Sequence, residues 1–228
     1  MNQHHPFTAV TASTIMFVVL LISALSTTSR ATFNTLQWKV NQNEDIQNTQ
    51  DASPTITSEL ANNMTLVFNV GKEVGDPETL QAILLQETNG GRSEPIGNKT
   101  SPVGKRSYGL MQVQTVAARS IFERYPSVFE TYFPDRRYSS VADEEIIALL
   151  LTDNEANVKI AAYHFKLYKS LAKGDWARTV AGYNAGIGTA LTMLHPSEFG
   201  YVKDVKLKIS NIVRPFNERH GLQLTQRF

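Results

Sequence analysis

Glu87 is the residue whose chemical type fits its place least well. Leu80, Ile83, Leu84 and Glu87 follow one another at steps of three, one and three, which stacks them on one face of a helix. A carboxylate on an apolar face is costly to bury unless it is paired or protonated. Burial raises a carboxyl pKa by up to about 3–5 units, and a carboxyl poised near neutral pH is what a general acid requires. The helix pattern alone leaves two other readings open: the face turns to solvent at the helix end, or Glu87 pairs with Arg92.

Other chemistries find little support. The chain has no cysteine, which removes thiol nucleophiles, disulfide frameworks and cysteine–zinc sites together. Its five histidines, His4, His5, His164, His195 and His220, show no metal-ligand spacing. There is no Gly-x-Ser-x-Gly elbow for a serine hydrolase and no glycine-rich phosphate loop. No metal and no cofactor is expected. A net charge of +1 over 228 residues gives no field that points to nucleic acid.

Three motifs lie downstream of Glu87: Ser107-Tyr108-Gly109-Leu110-Met111-Gln112, then Ala181-Gly182-Tyr183-Asn184-Ala185-Gly186, then Glu198-Phe199-Gly200-Tyr201-Val202. Taken in order, with Asn157-Val158 on the helix before Tyr183-Asn184, they resemble the soluble-type lytic transglycosylases, enzymes related to goose-type lysozyme. The family pattern is Glu-Ser at a helix end, Gly-Leu-Met-Gln, Ala-Tyr-Asn-Ala-Gly and Glu-Thr-x-x-Tyr-Val. The resemblance covers about residues 60–205. Thr88 stands where the family usually has Ser, Gly182 where it has Ala, and Ile187 where Pro is common.

The resemblance implies a mainly α, lysozyme-like transglycosylase domain with a substrate cleft. It further implies cleavage of the β-1,4 bond between N-acetylmuramic acid and N-acetylglucosamine in peptidoglycan, with a 1,6-anhydro product and Glu87 as acid and base. Most glycosidases use two carboxylates; the motif supplies one, which suits assistance by the sugar's own N-acetyl group. Tyr183 and Asn184 would orient that group. Gln112 and the Met111 carbonyl would line the groove, the Thr88 hydroxyl would hold Glu87 or a sugar, and Glu198 and Tyr201 would close the far side. The rival readings are a muramidase on the same fold and a non-catalytic peptidoglycan-binding or assembly module. A scaffold of an envelope-spanning secretion machine is compatible with activity.

The elements that must position these residues read as helices. Asp76-Pro77-Glu78 is a helix start, with an N-cap, a proline in the first turn and an acid after it. Residues 90–107 are dense in Gly, Pro, Ser, Asn and Lys and read as a loop. Further helices are expected from near Leu110 to Pro126, over 143–151, and over 154–172 with the stripe Val158, Ala161, Phe165, Tyr168 and Ala172. A short helix carrying Trp176, Val180 and Tyr183 is expected to end at 186–188, and a last one to run over 197–216. No strand-period run of useful length is present.

The ends of the chain read differently. Before Arg30 there is no Asp, Glu, Lys or Arg, and an apolar run at 15–22 precedes small residues up to Ser29. Residues 1–29 are therefore expected to be a signal peptide or an inner-membrane anchor, with 30–53 a flexible polar linker. The globular domain is expected over 54–219, followed by a tail at 220–228. The expected location is the periplasm or cell envelope, and the expected partner is the glycan strand. Six cations against Asp204 and Glu218 make residues 201–228 locally basic, which reads as a solvated helix face or as an anionic-polymer patch.

Overall fold

The computed structural model describes residues 57–223. The expected signal or anchor at 1–29 and linker at 30–53 lie outside the described residues, as do 224–228. Among the described residues no helix is long and apolar enough to cross a membrane. The domain is mainly helical, as expected, with a small three-stranded sheet.

Helix α1 (Ser58–Val74) was not anticipated. Thr57 caps it by accepting the Leu60 N–H at 3.2 Å, and Leu60, Met64, Val67, Phe68 and Gly71 form its buried stripe. Gly75 ends it at φ 79, a left-handed turn that glycine adopts without penalty. Helix α2 (Pro77–Thr88) begins where expected, with Pro77 in its first turn. The Asp76 side chain does not cap it but pairs with Lys169. Residues 79–85 are all buried, so α2 is a central helix covered on every side and not a one-faced surface helix. α2 ends at Asn89, φ 52, a left-handed position that Asn tolerates.

The strands β1 (Ile96–Gly97), β2 (Ser107–Tyr108) and β3 (Val113–Gln114) pair antiparallel in that order. Ile96 faces Tyr108 across one pair, and Tyr108 faces Val113 across the other. Two-residue strands have no period for a sequence to display. They also correct one boundary. Helix α3 (Thr115–Arg124) starts five residues after Leu110, because 109–112 forms the tight turn that brings β3 back onto β2. α4 (Pro126–Tyr132) follows.

Helices α5 (Asp143–Thr152) and α6 (Asn154–Leu171) lie within a residue of expectation. α6 packs on α1, α3, α4 and α5 and on the next helix, α7 (Trp176–Ala185). Gly186 caps α7 at φ 83, and a further helix, α8 (Ile187–Thr192), follows where only an end was expected. The expected last helix is divided. A 3-10 turn (Pro196–Glu198) leads to α9 (Gly200–Lys208), a π-helical segment (Ile209–Val213) and α10 (Arg214–Arg219). Pro215 lacks the N–H that would bond the Asn211 carbonyl in an α-helix, so the wider turn falls where that bond would be lost.

α9 and the π segment both pack on α2. α10 adds a polar tie to α2: Gln81 and Asn217, both buried, exchange amide hydrogen bonds at 2.8 and 2.9 Å, and Gln81 also donates to the Met64 carbonyl at 3.0 Å. Asn217→Ala leaves the Gln81 amide short of two partners inside the core. We expect it to cost about 1–3 kcal/mol, read as a lower urea midpoint at unchanged m-value; an unaltered midpoint would show that the pair carries no net stability.

Candidate active site

The C-terminal end of α2 delivers Glu87 to a point where three other elements meet. Glu87 is half-buried. Its Oε1 accepts the hydroxyl of Tyr201, from α9, at 2.6 Å, the spacing of a hydroxyl donating to a carboxylate. Burial, and after it the neighbouring Glu87 charge and this hydrogen bond, hold the Tyr201 phenol well above its ordinary pKa. Tyr201 therefore stays a donor at any physiological pH. Tyr183, from α7, is raised in the same way, by burial first and then by Glu87, which places its phenol within electrostatic reach of the same carboxylate.

The turn at 108–111 is the second part of the site. Its backbone groups are taken from several directions. Asn157 of α6, completely buried, donates to the Tyr108 carbonyl at 2.8 Å and to the Leu150 carbonyl at 3.1 Å, and accepts the Met111 N–H at 2.8 Å. Thr88 donates to the Leu110 carbonyl at 2.9 Å, and the Tyr183 hydroxyl donates to the Met111 carbonyl at 2.8 Å. Gly109 has φ 72, and a Cβ there would collide with the Leu150 carbonyl oxygen and the Asn157 amide. Only glycine lets the turn come this close to α6.

The expected site residues separate into groups. Glu87, Tyr201 and Tyr183 come together. Met111 is a core side chain with no exposed surface; its contribution is the carbonyl that seats Tyr183. Thr88 is buried to 1% exposure, and its hydroxyl is spent on Leu110 and on the Gly91 N–H at 3.1 Å, so it fixes the turn beside Glu87. Gln112 takes a left-handed conformation, φ 52, and its amide nitrogen folds back onto the carbonyls of Gly109 at 2.9 Å and Pro95 at 3.3 Å. That leaves its carbonyl oxygen as the remaining group. Asn184 is half-buried beside Tyr183, and Glu198 is exposed in its 3-10 turn. Arg92 is exposed, with its Nε on the Asn89 carbonyl.

Asn157 and Gly109 were not singled out as site residues. The signal was present: an Asn flanked by Ala156, Val158, Ile160 and Ala161 on a core helix needs partners when buried. Two departures from the family pattern also explain each other. A Cβ on Gly182 would lie 3.2 Å from both Ile187 Cδ1 and Tyr168 Cδ2, so an alanine would fit only if these side chains gave way by a few tenths of an ångström.

Among the described residues, no group of His, Asp or Glu is placed to hold a metal ion. A hollow of about 210 Å³ lies at the other end of α2, lined by Asp76, Phe165, Lys169, Gly174, Trp176 and Thr179. Asp76 and Glu87 are eleven positions apart along the helix, about 16 Å of rise, so the hollow is no part of this site.

A family model described as Transglycosylase SLT domain matches residues 69–198, more than half of the chain. No curated protein and no solved structure matches the chain.

Gly109→Ala should cost roughly 3 kcal/mol, from overpacking and a strained φ together; a thermal midpoint close to wild type would mean the turn relaxes away from α6. A second outcome concerns His164, whose ring lies 4.1 Å from that of Tyr168 and 5.9 Å from that of Tyr183. Burial lowers its pKa from 6.5 to about 4. The unfolded chain then takes up a proton that the folded one refuses, so stability falls as pH drops from 6.5 to about 4. Urea midpoints measured across that window should decline in wild type and decline less in His164→Phe; parallel profiles would remove His164 as the cause.

Proposed function

The chain belongs to the Transglycosylase SLT domain family, and on that premise we propose that it is a peptidoglycan lytic transglycosylase with Glu87 as general acid and base. The family is one of glycan-cleaving transglycosylases, which makes peptidoglycan the substrate class. The observation that carries the assignment of Glu87 is its half-buried carboxyl at the end of a buried helix, with one oxygen held by Tyr201 at 2.6 Å. Tyr201 fixes the direction of the carboxyl that transfers the proton. Glu87 protonates the leaving oxygen of the β-1,4 bond between N-acetylmuramic acid and N-acetylglucosamine. It then removes the proton of the 6-hydroxyl on the same muramoyl ring, which closes on its own anomeric carbon. A 1,6-anhydro end forms and no water is consumed.

The other residues serve geometry. The Tyr183 hydroxyl spends its hydrogen on Met111 and keeps lone pairs that can accept from the sugar's acetamido N–H. Asn184, beside it, supplies both a donor and an acceptor for the same group. The Gln112 side chain, its carbonyl oxygen packed against Gly97, would line the groove. Glu198 and Tyr201 belong to the segment that bounds a substrate cleft on the α9 side. The substrate places the working protein in the periplasm or cell envelope, delivered or anchored by residues 1–29. In an envelope-spanning secretion machine, the same cutting would make room for the assembly.

The decisive measurement is mass spectrometry of purified peptidoglycan digested by the full chain, wild type beside Glu87→Gln. Wild type should release muropeptides lighter by one water than hydrolysis products. Glu87→Gln should fold normally and lose at least about 10²-fold in turnover, since an amide cannot serve as the acid. Reducing ends in the products would make the enzyme a muramidase, and wild-type turnover in the mutant would remove Glu87 from the chemistry. No product from either protein would leave a peptidoglycan-binding or assembly module.

A further inference from the structure

Gln86 is the exception in a core that pairs its polar groups. Among the described residues its Oε1 is the one enclosed side-chain atom with no hydrogen-bond partner, whereas Gln81, Thr88, Asn157, Tyr183 and Tyr201 are all engaged. An enclosed carbonyl oxygen without a donor carries its desolvation penalty uncompensated. A leucine of similar shape would be free of that penalty, so the fold gives no reason for an amide at this position.

Helix geometry fixes where Gln86 stands. Thr79, Ile83 and Gln86 share one face of α2, at steps of four and three. That face meets α7, where the Trp176 indole donates to the Thr79 hydroxyl at 3.1 Å. Tyr183 lies seven residues beyond Trp176, as Gln86 lies seven beyond Thr79, and the Glu87 charge acts on the Tyr183 phenol. The two helices therefore run in the same sense, and Gln86 comes level with Tyr183. Glu87 projects about 100° round the helix from it. Consecutive side chains on a helix do not face each other. The amide and the carboxyl thus stand on neighbouring faces at the end of α2, within the span of one sugar ring.

We propose that the Gln86 oxygen takes the hydrogen of the muramoyl 6-hydroxyl, the group that attacks the anomeric carbon, so that Gln86 selects ring closure over attack by water. The inference rests on the reading of the chain as a lytic transglycosylase. Within a strand the muramoyl ring has C1 and C4 in glycosidic bonds, an ether at C3 and an acetamido group at C2. Its 6-hydroxyl is then its only O–H donor. In the proposed reaction Tyr183 and Asn184 take the acetamido group. While Glu87 carries the proton meant for the leaving oxygen, it does not also accept from the 6-hydroxyl, so that hydrogen needs a second acceptor. An amide carbonyl suits the task, because it accepts a hydrogen bond and is far too weak a base to keep the proton. Once the leaving oxygen has departed with its proton, the Glu87 carboxylate takes the hydrogen from O6, and the freed electron pair of O6 forms the bond to C1. Gln86 as a residue is half-buried and its terminal torsion has no steep preference. Turning the oxygen toward a bound ring therefore breaks no hydrogen bond.

The test is the ratio of 1,6-anhydro to reducing ends released from purified peptidoglycan by the full chain, Gln86→Leu beside wild type. We expect wild type to give anhydro ends and Gln86→Leu to lower the ratio about fivefold, the size of one net hydrogen bond, as water competes with an O6 that is no longer held. Folding is read separately. The urea midpoint of Gln86→Leu should equal or exceed that of wild type, since an unpaired oxygen is replaced by methyl groups. A lower midpoint overturns the proposal, because the oxygen would then have a structural partner. An unchanged product ratio overturns it as well. So does a folded variant that releases neither product, which would give Gln86 a part in holding the strand and not in directing the hydroxyl. Wild type that yields reducing ends alone would remove the transglycosylase reading, and this inference with it.

Discussion

The hydrogen bond from Tyr201 to Glu87 is the contact around which the domain is organised. Helix α2 is buried over 79–85, and a helix with that much apolar surface covered cannot end in an unattended carboxylate without a large desolvation cost. The phenol of α9 meets that requirement at 2.6 Å. It does so with a group that burial keeps protonated, so the pairing persists without placing a positive charge beside the acid. A lysine or arginine in the same place would hold the carboxylate ionised. A tyrosine fixes its direction without bringing a cation to it.

Around that pair the polypeptide spends buried polar groups where an ordinary core would spend methyls. Asn157 satisfies three backbone groups from one side chain, Thr88 and Tyr183 take two more, and Gly109 allows the approach. Each such group is costly if left unpaired, so the turn at 108–111 has one arrangement that satisfies all of them. Uniqueness of this kind is what a site needs if its donors are to stay within a fraction of an ångström of the working geometry.

Much of this was legible in the sequence. Glu87 stood out because a period of 3.6 placed a charge among leucines, and Asp76-Pro77 marked the start of its helix to the residue. The boundaries of α5 and α6 fell within a residue of expectation, those of α6 on its core stripe. What was not legible had no local signal. The two-residue strands are set by pairing partners distant in sequence, and they displaced the start of α3 from Leu110 to Thr115. The inward turn of Thr88 depends on a carbonyl 22 residues away. That Met111 acts through its backbone is invisible to any reading of side chains, and the division of the last helix follows from a single proline whose effect depends on what packs beneath it.

The π-helical segment Ile209–Val213 separates two grips on the same helix. On one side of it, Tyr201 of α9 holds Glu87 at the C-terminal end of α2; on the other, Asn217 of α10 holds Gln81 near the middle. A residue added to or removed from a helical turn rotates everything beyond it by about 100°, so the wide turn sets the phase between the two holds. Change in the terminal helix can therefore tune how firmly the fold is latched while the angle of the phenol toward the acid is left alone. The segment is a joint between two fastenings of one helix, within what would otherwise run as a single rod.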